Sequence, residues 1–213
     1  MKIKQNMNTK IALSGLSIFA ALALVGGATF AFFSDSGTSS GNTFATGSMD
    51  LKLANGVGSY SDSVSATWGD TGLTPGSTTT IGTLNLKNAA GSIPANHVDI
   101  AFVNTNSDLL NPLDTVMRVT TLTYDGNDLL AGLGTVPNVY GLVDTDASGF
   151  LELDELATQG LDNHTLALLA LIDVDVPHPF IMQLTMDPNA GNEYQGDNVS
   201  TALTVTLQQD SGQ

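Results

Sequence analysis

The feature that most constrains this chain is an alternation of apolar and polar residues with a period of two. Residues 180–186 read FIMQLTM and residues 199–207 read VSTALTVTL, so apolar side chains recur at every second position. This period is typical of strands that bury one face. The sequence therefore predicts six strands, at residues 49–53, 80–88, 98–102, 117–126, 180–186 and 199–207.

Turn signals separate these segments. They include PG at 75–76, DGN at 125–127 and DPNAGN at 187–192. No helical pattern alternates with the strands, which favours an antiparallel sandwich or barrel over a doubly wound parallel sheet. There is neither an internal repeat nor a long linker. We therefore predict one all-β domain.

One segment departs from the period of two. Residues 151–172 read LELDELATQGLDNHTLALLALI, with near-helical spacing of Leu161, Thr165, Leu168, Leu169 and Ile172. Asp162 or Asn163 is available as a helix cap. The sequence therefore predicts a short α-helical excursion inserted in the β-sandwich.

The N-terminal segment has the outline of a secretory signal peptide. Lys2, Lys4 and Lys10 precede an uncharged stretch, 11–33, and small residues follow. The stretch is also long enough to span a membrane once as a helix. Serines and glycines interrupt it, so we expect residues 1–31 to be cleaved near Ala31, leaving a secreted protein with no permanent anchor.

The charge balance of the remaining chain excludes some functions. After Ala31 there are 21 acidic residues and three cations, Lys52, Lys87 and Arg118, which gives a formal net charge of −18. Binding to nucleic acid needs clustered Lys and Arg, so we predict no nucleic-acid partner. The absence of cysteine excludes disulfides, thiol nucleophiles and cysteine-ligated metals.

Residues 144–155 read DTDASGFLELDE and match the twelve-position calcium loop of the EF-hand. Acidic side chains stand at positions 1, 3, 9 and 12, and Gly149 stands at position 6, where the loop turns sharply. Calcium prefers six to eight hard oxygen ligands, which such a loop wraps around it. The predicted ligands of one Ca²⁺ ion are Asp144, Asp146, Ser148, Phe150 (through its carbonyl), Glu152 and Glu155.

The loop departs from a complete EF-hand on its entering side. Residues 134–143 contain Pro137 and Gly141 and make a poor helix. The chain has no second full loop with which Leu151, at the pairing position, could associate. We therefore predict a lone, half-flanked loop within an excursion at residues 144–172; the alternative is an acidic surface turn before a helix.

The sequence contains no recognisable catalytic motif. Its three histidines, His97, His164 and His178, form neither HExxH nor a pair at helical spacing. GxSxG, Walker and GxGxxG patterns are also missing. We therefore predict no catalytic residues and no enzyme.

Three stretches resemble the TasA/camelysin family of secreted matrix-fibre proteins. They are LVGGATFAFFSDSGTSSGNTFATGSMDLKL at 24–53, LTPGSTTTIGTLNLKNAAGSIPANHVDI at 73–100 and NEYQGDNVSTALTVTLQQ at 192–209. The resemblance implies processing by a SipW-type signal peptidase and a jelly-roll sandwich at 32–213. It also implies assembly into extracellular filaments, in which the N-terminal segment of one subunit completes the sheet of the next.

Residues 32–46 have the polar, β-capable and proline-free composition that such a donor strand needs, with Phe32, Phe33 and Phe44 as candidate anchors. Head-to-tail donation does not close on itself, so it yields filaments. Two alternatives stay open. One is a monomeric calcium-binding module of the cell surface; the other is a metalloprotease, because the family also carries the name of the casein-cleaving camelysin.

Overall fold

A computed structural model describes residues 47–65, 67–161 and 173–209, and its strands form where the sequence alternates. The six predicted strands are confirmed; a seventh has two residues and is too short to show a period. The strands are β1 (Leu51–Asn55), β2 (Gly82–Asn88), β3 (His97–Asn106), β4 (Met117–Tyr124), β5 (Asn127–Asp128), β6 (His178–Met186) and β7 (Val199–Gln208).

The strands form two sheets. The larger has the order β1-β2-β6-β4-β5, and the smaller contains β3 and β7 alone. All five strand pairs are antiparallel, as expected for strands joined without crossover helices. The all-β, antiparallel prediction is confirmed, and the jelly-roll connectivity stays a prediction.

The core lies between the inner faces of the two sheets. On β6, Phe180, Met182, Leu184 and Met186 are buried and alternate with partly exposed residues. Phe102 on β3 meets Phe180 from the other sheet, with ring centroids 6.2 Å apart. Side chains that alternate across the pleat therefore join the sheets into one core.

The two ends of the sandwich differ. At the "His97 end" lie the start of β3, the end of β7 and residues 47–50; there the Asn96 amide donates to the Gln208 carbonyl, at 2.6 Å. At the "Val199 end" lie the start of β7 and the end of β3. From that end the chain reaches the 3-10 helix η1 (Leu113–Val116) and then β4.

The described helix covers the first part of the predicted helical excursion. The α-helix α1 (Leu153–Gln159) ends at Gly160, whose φ of 64° no longer continues it. Leu161, which we expected on the helix, instead exchanges main-chain hydrogen bonds with Ile100 of β3. That expectation was wrong because a glycine in the left-handed region stops a helix. The cap candidates Asp162 and Asn163, and the rest of the predicted helix, lie outside the described residues.

The described residues belong to one compact unit, Thr46–Gln213. The predicted signal peptide, residues 1–31, and the predicted donor strand, residues 32–46, lie outside the described residues. The anchors Phe32, Phe33 and Phe44 are therefore not tested by the fold.

Candidate metal site and open groove

Three of the predicted ligands converge in the loop before α1. Carboxylate oxygens of Asp144, Asp146 and Glu155 all lie within 4.8 Å of one another. Asp144 and Glu155 are buried, whereas Asp146 is exposed. This group of acidic residues could hold a metal ion.

The loop backbone fixes the first of these carboxylates. Asp144 accepts hydrogen bonds from the amides of Ser148, at 3.1 Å, and Gly149, at 2.8 Å. The turn that aims these amides back at Asp144 has a φ of 88° at Gly149, a region that L side chains rarely adopt. Glycine adopts this conformation without the strain that a side chain would add.

The helix start fixes the last carboxylate. Glu152 and Glu155 form a capping box, in which each side chain accepts a hydrogen bond from the other residue's amide. Glu155 also accepts from the Thr145 amide, at 2.6 Å. The first turn of α1 therefore holds Glu155 against the beginning of the loop.

The other three predicted ligands, Ser148, Phe150 and Glu152, are not part of this carboxylate group. The Ser148 hydroxyl lies 3.0 Å and 3.1 Å from the two carboxylate oxygens of Glu152 and donates to that carboxylate. The Phe150 carbonyl, the predicted ligand atom, lies 3.4 Å from the Ser148 hydroxyl, and the Phe150 ring packs under the Arg118 guanidinium, at 4.1 Å. Arg118 in turn lies 3.9 Å from Glu152 through its Nε and 2.7 Å from Asp187 through its Nη2. Glu152 therefore faces Ser148 and Arg118 and is not part of the three-carboxylate group.

Burial is the main reason that the pKa of the Glu152 carboxyl rises to about 7. The negative charges of Asp146 and Glu155 act in the same direction, and the hydrogen bond from Ser148 opposes them. Near neutral pH this carboxyl therefore exchanges a proton, so the charge of the loop depends on pH.

The sheet replaces the missing second loop. Leu151, at the pairing position, is buried, and its carbonyl accepts a hydrogen bond of 2.7 Å from the Val119 amide of β4. The neighbouring residues Arg118 and Glu152 form an isolated antiparallel bridge. The prediction that residues 134–143 form no helix is confirmed. In a paired EF-hand a second loop supports the first. Here the β4 strand supports the loop instead.

The second feature is a cavity of about 920 Å³ that opens along β7. Its apolar floor is built from both sheets and from the connecting segments, and its rim is formed by residues 67–75 and 191–198. Its large aliphatic, methionine and tryptophan lining residues are Leu53, Val64, Trp68, Leu73, Leu84, Leu113, Met117, Leu153, Met182, Leu184, Met186, Val199, Leu203 and Val205.

The main-chain edge of β7 borders this groove. β7 pairs with β3 over its whole length, and within residues 47–65, 67–161 and 173–209 no strand pairs with its other edge. The inward-facing side chains of β7 are only partly buried. The groove therefore combines an unpaired strand edge with an incompletely covered core.

Trp68, the single tryptophan of the chain, forms part of the groove wall. Its indole N–H donates to the Met182 carbonyl, at 2.9 Å, and its ring meets Phe180 edge-on at 5.8 Å. A Cβ atom at position 82 would overlap the Trp68 ring, so β2 begins with glycine here. We did not predict this residue's role, although a tryptophan in a polar Ser/Gly/Thr segment was the available signal.

The described histidines lie apart from the carboxylate group. His97 Nε2 is 3.6 Å from Asp99, and His178 Nδ1 is 3.3 Å from Asp125. Within the described ranges, the one group of three or more His and acidic side chains close enough to share an ion consists of carboxylates.

A family model described as camelysin metallo-endopeptidase matches residues 2–108, half of the chain. The match spans β1 to β3 and ends before the carboxylate loop and β7. No curated protein and no solved structure gives a significant match. In the described part of the chain, no helix has the length and apolar character needed to cross a membrane.

Proposed function

The chain belongs to the camelysin metallo-endopeptidase family, and from that premise we propose that it is a secreted structural protein of extracellular filaments. In this proposal subunits join head to tail by donor-strand exchange, and Ca²⁺ in the carboxylate loop stabilises each subunit. The observation that carries the proposal is the groove beside the edge of β7 that no described strand pairs with.

The groove offers what an added strand needs. A donated strand gains affinity from main-chain hydrogen bonds to an open edge and specificity from alternate side chains in apolar pockets. The edge of β7 offers main-chain groups for such hydrogen bonds, and the apolar floor around Leu84, Met182 and Leu203 offers the pockets for side chains.

The proposed donor is residues 32–46 of another copy. Fifteen extended residues span about 50 Å, more than the roughly 33 Å of a ten-residue strand such as β7. Phe32, Phe33 and Phe44 are large enough to fill parts of a cavity of about 920 Å³.

Strand direction favours exchange between subunits over self-insertion. Residues 47–50 precede β1 and lie at the His97 end, where the Ile93 amide donates to the Ser48 carbonyl, at 3.1 Å. Since β7 runs toward this end, a chain that folded its own segment back into the groove would place it parallel to β7. Every strand pair in the two sheets is antiparallel, an arrangement that a segment arriving from another subunit satisfies.

Calcium is the ion that the loop chemistry favours. The converging donors are carboxylates, and calcium prefers hard oxygens, whereas catalytic zinc sites include nitrogen ligands. Bound Ca²⁺ would offset two of the three negative charges in the carboxylate group of a mature chain of net charge −18, easing the approach of like-charged subunits.

The direct test is electron microscopy of the chain that begins at Phe32, with calcium present. We expect filaments from this chain and none from a chain that begins at Gly47. Monodisperse particles of the longer chain across calcium and protein concentrations would rule out the filament proposal in favour of a monomeric calcium-binding module.

The family description makes metallo-endopeptidase activity the second candidate function. The test is hydrolysis of casein by recombinant protein, with and without chelator. Hydrolysis that a chelator abolishes, and that Glu155→Gln also abolishes, would replace the structural reading with an enzymatic one.

A further inference from the structure

Two adjacent leucines project from the Val199 end of the sandwich. Leu109 and Leu110 have exposed fractions of 82% and 91%. They lie in the connection between β3 and η1, and Leu113, three residues later, lines the groove. A pair of exposed large apolar residues therefore stands beside the mouth of the groove.

The turn that carries the leucines is fixed to the start of β7. The Ser107 amide donates to the Asn198 carbonyl, and the Asn198 amide donates to the Ser107 hydroxyl, both at 2.9 Å. The Leu110 amide donates to Asp108, at 2.8 Å. The position of the leucines relative to β7 is therefore set before any partner arrives.

The proposed donor strand determines which part of the neighbour reaches this turn. Antiparallel to β7, the donor leaves the groove at the Val199 end through its residue 46. In the donor's own fold, Gly47 already packs on Ile93, and Ser48 is hydrogen-bonded at the His97 end. A fifteen-residue donor exceeds the length of β7 by about five residues, so at most about 17 Å of chain separates the donor's His97 end from the acceptor's Val199 end.

We propose that Leu109 and Leu110 form a second contact between consecutive subunits, a domain-to-domain contact with the His97 end of the donating copy. This inference rests on the proposed function. The His97 end carries an apolar residue of its own, since Val176 is 44% exposed. Val176 is next to Asp175, whose amide donates to the Asn88 carbonyl at 2.7 Å. The contact would set the angle between subunits, which a strand alone leaves free.

The test compares two double variants of the chain that begins at Phe32. L109S/L110S removes the proposed contact, and V136S/V139S is the matched control, because Val136 and Val139 are also exposed, at 70% and 55%, and flank the carboxylate loop. We expect L109S/L110S to raise the critical concentration for assembly about tenfold or more. The control should assemble as the unsubstituted chain does.

Two further readouts separate the contact from the groove and from folding. Free peptide of residues 32–46 should block growth at the same concentration for the unsubstituted chain and L109S/L110S, since the groove is unchanged. Melting temperatures should also agree, because both leucines are exposed. Equal critical concentrations for L109S/L110S and the unsubstituted chain would overturn this inference while leaving strand exchange in place. An unsubstituted chain that neither assembles nor binds the peptide would overturn both.

Discussion

The outer edges of β3 and β7, the two strands of the smaller sheet, are treated differently by the chain. On the β3 side, Leu161 folds back and exchanges hydrogen bonds of 3.0 Å and 2.8 Å with Ile100. On the β7 side, the described residues provide no such cover, and the groove follows the edge. An unprotected edge is normally an aggregation hazard, and in our proposal the strand of a neighbouring subunit covers this one.

The two edges differ in what stabilises them. The covered edge adjoins α1 and the carboxylate loop, where hydrogen bonds and a capping box close the structure within one chain. Within the described residues, the apolar side chains of the β7 edge are only half-buried, and an added strand would bury them further. The subunit is therefore stabilised on one side by itself, and on the other, in our proposal, by its neighbour.

The largest effect is expected from breaking the covered edge. Leu161→Ala removes a side chain that is 2% exposed, and should lower the free energy of unfolding by about 2–4 kcal/mol. Leu203→Ala on β7, which is only partly buried, should cost the monomer about 1 kcal/mol. Chemical denaturation of unassembled protein measures both. Equal losses of unfolding free energy in the two variants would show that the two edges contribute equally to the stability of the monomer.

The next effect concerns Glu155. Glu155→Ala removes the capping box and leaves the Thr145 amide without its acceptor, which should cost about 2–3 kcal/mol without calcium. Glu155→Gln keeps an acceptor oxygen and should retain most of that stability. It should, however, lose the rise in melting temperature that calcium gives the unsubstituted chain. A Gln variant that calcium stabilises normally would exclude Glu155 as a ligand.

A smaller effect is expected from pH. The folded pKa of Glu152, about 7, lies above its ordinary value of 4.5. Between these values the folded state binds a proton that the unfolded state does not, so stability falls as pH rises through this window and levels off above it. In chelator, Glu152→Gln should remove about 1–2 kcal/mol of this dependence. An unchanged slope in the variant would assign the pH dependence to other groups.

The strands were predictable from the sequence because their inner faces are buried at every second residue. The convergence of Asp144, Asp146 and Glu155 was predictable because the loop pattern places them at positions 1, 3 and 12 around the turn at Gly149, whereas the contacts of Glu152 with Arg118 depend on the neighbouring strand. The groove was not predictable, since it depends on which strands are neighbours. Trp68 reaches Met182, 114 positions away in sequence, and no local pattern indicates that pairing. The prediction that Leu161 lies on the helix was wrong because Gly160 ends the helix and the chain then turns to β3.

The measurement that tests the central claim most directly uses Trp68, the chain's single tryptophan and part of the groove wall. Peptide of residues 32–46 is titrated into the chain that begins at Phe32, held below its assembly concentration, while tryptophan fluorescence is recorded. If the peptide enters the groove, we expect a saturable shift to shorter wavelength as the groove loses water, with no response to a peptide in which Phe32, Phe33 and Phe44 are replaced by serine. An unchanged spectrum at saturating peptide, or an equal response to both peptides, would contradict the proposed strand donation.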